Sequence, residues 1–121
     1  MRFLVVDDSS TMRRIIINTL HKLGHQDIVE ASNGREGIDR VTEGAVDLVI
    51  TDWNMPEMNG IEFIRSLRTM AQGSKLPVLM VTTNAAQDDI VEALRAGVNN
   101  YVVKPFTPDT IKEKIDAVLA R

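Results

Sequence analysis

The sequence predicts an α/β protein, a five-stranded parallel sheet covered by helices on both faces. Three observations carry that expectation. Five short apolar runs rich in β-branched residues recur along the 121 residues, each is followed by a longer segment of helical periodicity, and Gly or a Thr-Pro step punctuates the joins. Strict alternation of this kind requires right-handed crossovers, which put every strand's C-terminal end on one edge of the sheet.

The first run, Phe3 to Val6, is followed by a segment in which Met12, Ile15, Ile16, Leu20 and Leu23 fall on one stripe, and Gly24 supplies a left-handed stop. The second, Ile28 to Val29 with its flanks, leads into Asn33-Gly34-Arg35-Glu36, a capping-box pattern. Its helix turns Ile38 and Val41 inward and stops at Gly44. The third, Leu48 to Ile50, is followed by the same device in Asn59 and Glu62, with Ile61, Ile64 and Leu67 as the inner face before Gly73. The fourth, Val78 to Val81, precedes a helix expected to start near Asn84, with Gln87 three residues on, to use Ile90, Ala93 and Leu94, and to end at Gly97. The fifth, Tyr101 to Val103, precedes Thr107-Pro108, a cap with Pro at the first helical position, and a face of Ile111, Ile115, Val118 and Leu119.

Length allows one core, so a single domain over residues 1–121 is expected, with no linker or low-complexity tract. The hydrophobic fraction of 44% and charged fraction of 26% are those of an ordinary globular chain. A net charge of −3 argues against a broad attraction to nucleic acid or to an anionic membrane. With Cys absent, disulfides, thiolate catalysis and thiolate metal sites are excluded. The apolar stretch near Met1 is too short for a signal peptide or membrane span and runs straight into acids, so a cytoplasmic location is expected.

The chemistry lies where the strands end. Strand one ends in Asp7-Asp8, strand three in Asp52, strand four in Thr82-Thr83 and strand five in Lys104-Pro105. On one edge these bring three carboxylates, a hydroxyl and an ammonium into one crevice. Two like charges about 4 Å apart repel by about 1 kcal/mol in water and about 4 kcal/mol at an effective dielectric of 20, so something positive must sit among the acids. Lys104 offsets part of the charge. Oxygen ligands without His or Cys suit a hard divalent ion, Mg²⁺ more than Zn²⁺, and Mg²⁺ commonly works with a phosphate. Taken singly, Asp7-Asp8 reads as a helix cap, Thr82 as a strand residue and Lys104 as a solvated strand-end cation; only their coincidence on one edge points to chemistry.

These residues resemble the receiver domain of two-component response regulators. The matching stretches are Phe3-Leu4-Val5-Val6-Asp7-Asp8, Ser10-Thr11-Met12-Arg13-Arg14, Asp52-Trp53-Asn54-Met55-Pro56, Pro77 to Thr82, Ala96-Gly97 and Tyr101-Val102-Val103-Lys104-Pro105-Phe106, which together span nearly the whole chain. Thr-Met-Arg-Arg, Asp-Trp-Asn-Met-Pro and Tyr-Val-Val-Lys-Pro-Phe-Thr resemble the chemotaxis branch in particular. The resemblance implies a flavodoxin-like sheet of order 2-1-3-4-5 and a stand-alone regulator phosphorylated on Asp52 by a histidine kinase. It implies Mg²⁺ held by Asp8, Asp52 and the backbone carbonyl of Asn54, with Asp7 acting through water. It further implies Lys104 and Thr82 as phosphoryl-stabilising groups, a cis Lys104-Pro105 bond, and a switch made of Thr82 and Tyr101, with Tyr101 outward before phosphorylation. The partner face is expected on the fourth helix, fifth strand and fifth helix, at Ile90, Tyr101, Val103 and Lys114. Its expected target is the flagellar motor switch, a phosphatase is a further partner, and the protein is expected to be a monomer that assists its own phosphorylation without being an enzyme in the usual sense.

Three positions depart from the chemotaxis pattern. Ser9 stands in place of an aromatic residue, Thr83 in place of Ala and Asn84 in place of Glu. Ser9 and Ser10 are better suited to capping the first helix, whereas Asn84, with Asn54, bears on phosphate lifetime. Asn84 also reads as the cap of the fourth helix. Three other readings compete. A cofactor binder of the flavodoxin type would meet repulsion from Asp7-Asp8, a phosphohydrolase would need an acid or base where Asn54 stands, and a receiver from another phosphorelay or a DNA-binding regulator shares every core motif.

Overall fold

In the computed structural model, which describes residues 1–120, five strands and five helices alternate without exception. The elements are β1 (Arg2–Val6), α1 (Ser10–Lys22), β2 (Asp27–Ala31), α2 (Gly34–Glu43), β3 (Leu48–Thr51), α3 (Gly60–Thr69), β4 (Val78–Thr82), α4 (Gln87–Ala96), β5 (Asn100–Val103) and α5 (Pro108–Leu119). Arg121, the expected domain end, lies outside the described residues. All strand pairs are parallel and the order is β2-β1-β3-β4-β5, as expected.

Because successive strand side chains point to opposite faces, each run feeds two cores. Phe3, Val5, Leu48, Ile50, Leu79, Val81 and Val102 face α1 and α5, meeting Ile16, Leu20, Ile111, Ile115 and Val118. Leu4, Val6, Val49, Val78 and Met80 face the other way, onto Val41, Ile61, Phe63, Ile64, Leu67 and Ala93 of α2, α3 and α4. A fully buried side chain of this size contributes about 1.5–3 kcal/mol, which holds the register of the central strands far more firmly than propensity could.

The helix ends follow local chemistry in four of five cases. Ser9, Asn33, Asn59 and Thr107 each accept a backbone N–H three residues on. Only α3 has the full reciprocal box, with Glu62 accepting from the Asn59 amide. In α2 the Glu36 carboxylate reaches one residue further back, to the Ser32 amide. The expected start of α4 is corrected: its N-cap is Ala86, with no side-chain bond, and Asn84 is turned to other partners.

Three stripe residues are also corrected. Ile15 is 44% exposed, Leu94 49% and Leu119 36%, whereas Thr19, whose hydroxyl donates to the Ile15 carbonyl, is buried in α1. The helices present narrower faces to the sheet than the apolar count implies, and α4 packs on it chiefly through Ala93, a small residue that buries little else.

Candidate functional site

Register delivers the acids side by side. Val6 pairs with Thr51, so Asp7 and Asp52 leave neighbouring strands at the same level, and the Asp52 amide donates to the Val6 carbonyl at 2.9 Å. Thr82 pairs with Val103, so Lys104 emerges one step beyond it, and the Lys104 amide donates to the Thr82 carbonyl at 2.8 Å. The Lys104-Pro105 bond is cis, as expected.

Lys104 lies across the crevice. Its Nζ donates to Asp7 Oδ2 at 3.2 Å and to Asp52 Oδ2 at 3.1 Å. Asp7 is 1% exposed and Asp52 9%, while Asp8 is open to solvent, and one carboxylate oxygen from each of the three lies within 4.8 Å of the others. A single ammonium among three carboxylates leaves an excess of negative charge that hard oxygen donors, with no sulfur or imidazole in the set, suit to a divalent cation. Burial pushes the Asp7 carboxyl above its ordinary range; the Ser9 amide and Lys104 pull it down, and Asp52 adds to the rise.

The backbone near Asp52 is held closely. Asp52 Oδ1 accepts from the Trp53 amide at 2.6 Å, and the Gly60 amide donates to the Trp53 carbonyl at 2.7 Å. A Cβ on Gly60 would lie 2.2 Å from the Asp52 carbonyl oxygen, so only glycine lets α3 start so near the acid. The loop between β3 and α3 is braced from α2: Asn33 Nδ2 donates to Glu57, whose φ is +64°, and the Gly34 amide donates to the Met58 carbonyl at 3.0 Å.

The opposite wall converges on Asn84. Its amide donates to the fully buried Thr82 Oγ1 at 3.3 Å, its carbonyl accepts from the Tyr101 hydroxyl at 2.7 Å, and its side-chain oxygen accepts from Asn54 Nδ2 at 3.1 Å. The expectation of an outward Tyr101 is therefore corrected: the ring is half-buried and its hydroxyl is tied to the loop before α4. Its phenol is pushed up to about 12, by burial first and then by the charges of Asp89 and Asp52. Ser9 caps α1, as its departure from the aromatic pattern implied, through Oγ accepting from the Met12 amide at 3.1 Å. Thr83 is exposed.

Ile90 and Lys114 are half-buried on α4 and α5, Val103 is exposed on β5, and Val91 and Leu94 add exposed apolar area on α4. Residues that sequence reasoning left without a role at the site include Gly60, Glu57 and Arg13. For Gly60 the only signal was its place between a cap and an apolar run; the others act through loops distant in sequence. Among the described residues no helix is long and apolar enough to cross a membrane.

Comparison with known proteins agrees with this geometry. The model of the response regulator receiver domain matches residues 3–116. The chemotaxis protein CheY homolog of Campylobacter jejuni is 54% identical over 120 residues, covering 98% of this chain and 92% of that protein. Chemotaxis protein CheY1 of Helicobacter pylori is 50% identical, with 98% and 97% covered. Among solved structures, chemotaxis protein CheY4 of Vibrio cholerae aligns with a TM-score of 0.90 at 33% identity, covering 97% of each chain. A response regulator from Chloroflexus aurantiacus aligns at 0.93 with 27% identity, covering 99% of this chain and 98% of that one.

Proposed function

The chain belongs to the response regulator receiver family, and from that premise we propose that it is a cytoplasmic, stand-alone chemotaxis regulator, phosphorylated on Asp52 by a histidine kinase. The observation that carries the proposal is the Lys104 ammonium shared between Asp7 and Asp52, with the exposed Asp8 beside them. In the transfer an Asp52 oxygen attacks phosphorus, the bond from phosphorus to the donor nitrogen breaks, and an acyl phosphate forms. Asp8, Asp52 and the Asn54 carbonyl would hold Mg²⁺, with Asp7 acting through water. When bound, that ion supplies positive charge for both the carboxylates and the phosphoryl oxygens.

The side chains around Asp52 then have separate tasks. Lys104 trades a carboxylate oxygen for a phosphoryl oxygen without leaving the crevice. Thr82 keeps its own proton free, because its oxygen is engaged only as acceptor from the Asn84 amide, and donates that proton to a second phosphoryl oxygen. Asn54 and Asn84, joined to each other across the mouth, limit the approach of water and so set phosphate lifetime.

Tyr101 moves between the position bonded to Asn84 and an outward one, and the phosphoryl group biases that equilibrium through Thr82. A switch from 1:99 to 99:1 needs about 5.5 kcal/mol, more than one new group supplies, so partner binding on Ile90, Tyr101, Val103 and Lys114 contributes the remainder. The target is the flagellar motor switch, as the resemblance to the chemotaxis branch implies. Asp52→Asn tests the assignment: stoichiometric labelling by acetyl phosphate with Mg²⁺ should be abolished, and labelling that persists would place the acceptor elsewhere.

A further inference from the structure

We propose that Arg13 is a positioning residue for the acidic edge, setting the Asp7-Asp8 peptide and through it the Asp8 carboxylate. The inference rests on the reading of Asp7, Asp8 and Asp52 as the seat of a divalent cation. Arg13 stands one turn into α1, its amide bonded to the Ser9 carbonyl at 2.9 Å, and no acid accompanies it in that first turn. A cation there opposes the positive end of the helix, so its place is unfavourable on local grounds and calls for compensation.

The compensation is specific. Arg13 Nη1 donates to the Asp7 backbone carbonyl at 2.5 Å and Nε donates to Glu30 Oε1 at 2.9 Å, with the Arg13 side chain only 17% exposed. The Asp7 amide donates to the Ala31 carbonyl, its Oδ1 accepts from the Ser9 amide and its Oδ2 accepts from Lys104. With Arg13 added, every polar atom of Asp7 is engaged. The carbonyl that Arg13 holds belongs to the peptide leading to Asp8, so its orientation decides where the Asp8 side chain leaves the chain.

Asp8 needs such help more than its neighbours do. It is exposed, yet one of its oxygens stays within 4.8 Å of two other carboxylates that repel it. Holding its backbone is the way to keep it there without a partner for the carboxylate itself. Since Glu30 neutralises the guanidinium, Arg13 acts by orientation and not by field. The rigid fork is essential, because a lysine ammonium presents no two fixed donors to a carbonyl and a carboxylate at once. Outer contacts of this kind are worth about 10–100-fold in metal affinity.

The experiment uses the full chain, Mg²⁺ alone as ligand, and the emission of Trp53, the single tryptophan. Removing Arg13 alone would also make the site more negative, so the main variant is R13A/E30A, which leaves the net charge unchanged. Its Kd for Mg²⁺, read at 25 °C, should rise about 10-fold. R13K, which keeps the charge and loses the fork, should show an increase of at least about threefold, and it decides the matter should the double variant fail to fold. The metal-free thermal midpoint is recorded beside each Kd. A merely structural role would lower the midpoint and leave Kd within about threefold of wild type, and that result would overturn the inference. Wild-type protein that binds no Mg²⁺ would sink the metal seat and this inference together, whereas normal wild-type binding with unchanged variants sinks only the role of Arg13.

Discussion

Asp7 is the more deeply buried of two adjacent acids, and the difference gives them different work. Burial outweighs the Ser9 amide and Lys104, so its carboxyl titrates above the ordinary range, and the folded chain holds that proton to a higher pH than the unfolded one. Stability therefore declines as pH rises through that window and stays reduced at neutrality while no metal is bound. Asp7→Asn should raise the metal-free thermal midpoint at pH 7 by about 2–6 °C, with the gain shrinking as pH falls through the carboxylate range, as scanning calorimetry in EDTA would register. An unchanged midpoint would mean that the lost Lys104 contact offsets the relief. Tyr101, the single tyrosine, offers a direct check of its burial beside Asp89 and Asp52: absorbance titration should give a midpoint near 12 and not the ordinary value of 10.

Among the elements, α4 is the exception. The other four helices each have a side chain that caps them, but the N-cap of α4 is Ala86, which offers none, and only Asp88 and Asp89 complement its dipole. It rests on the sheet through Ala93, and Val91 and Leu94 face outward. An element so lightly held is the one a partner face can recruit. Ala86→Ser, placed where the backbone is already extended, should stabilise the chain by about 0.5–1 kcal/mol in urea unfolding. No gain would indicate that the loop carrying Asn84 cannot accept the cap. The same element explains one of the misread residues. Asn84 looked like a cap because Asn before a helix usually is one, but Tyr101 and Asn54, 17 and 30 residues away in sequence, compete for it, with Thr82 beside it.

At the scale of the whole molecule, the β4 and β5 side of the edge away from the acids is secured by one cation. Arg68, on α3, donates to the carbonyls of Gly73, Leu76 and Gly97 and to Asn99 Oδ1, which also accepts the Val78 amide. It ties α3, the loop before β4 and the end of α4 together, without a carboxylate partner in that set. Arg68→Leu should lower stability by about 3–5 kcal/mol by freeing several carbonyls at once, measurable as a drop in the urea midpoint. A loss below about 1 kcal/mol would show that water replaces it easily.

Alternation of β-branched runs with capped, Gly-terminated helices was enough to determine the parallel sheet, and the strand-end residues Asp7, Asp8, Asp52, Thr82 and Lys104 were readable as one site, because in a parallel sheet all C-terminal ends share an edge. What only the tertiary structure decided was which oxygen meets which hydrogen. Lys104 bridging two acids, Tyr101 bonded to Asn84, Arg13 on the Glu30 carboxylate and Arg68 on the Gly97 carbonyl are pairings between residues 17 or more apart in sequence. Periodicity reports the face on which a side chain lies; its polar partners depend on how loops from separate strands pack, and no local pattern encodes that.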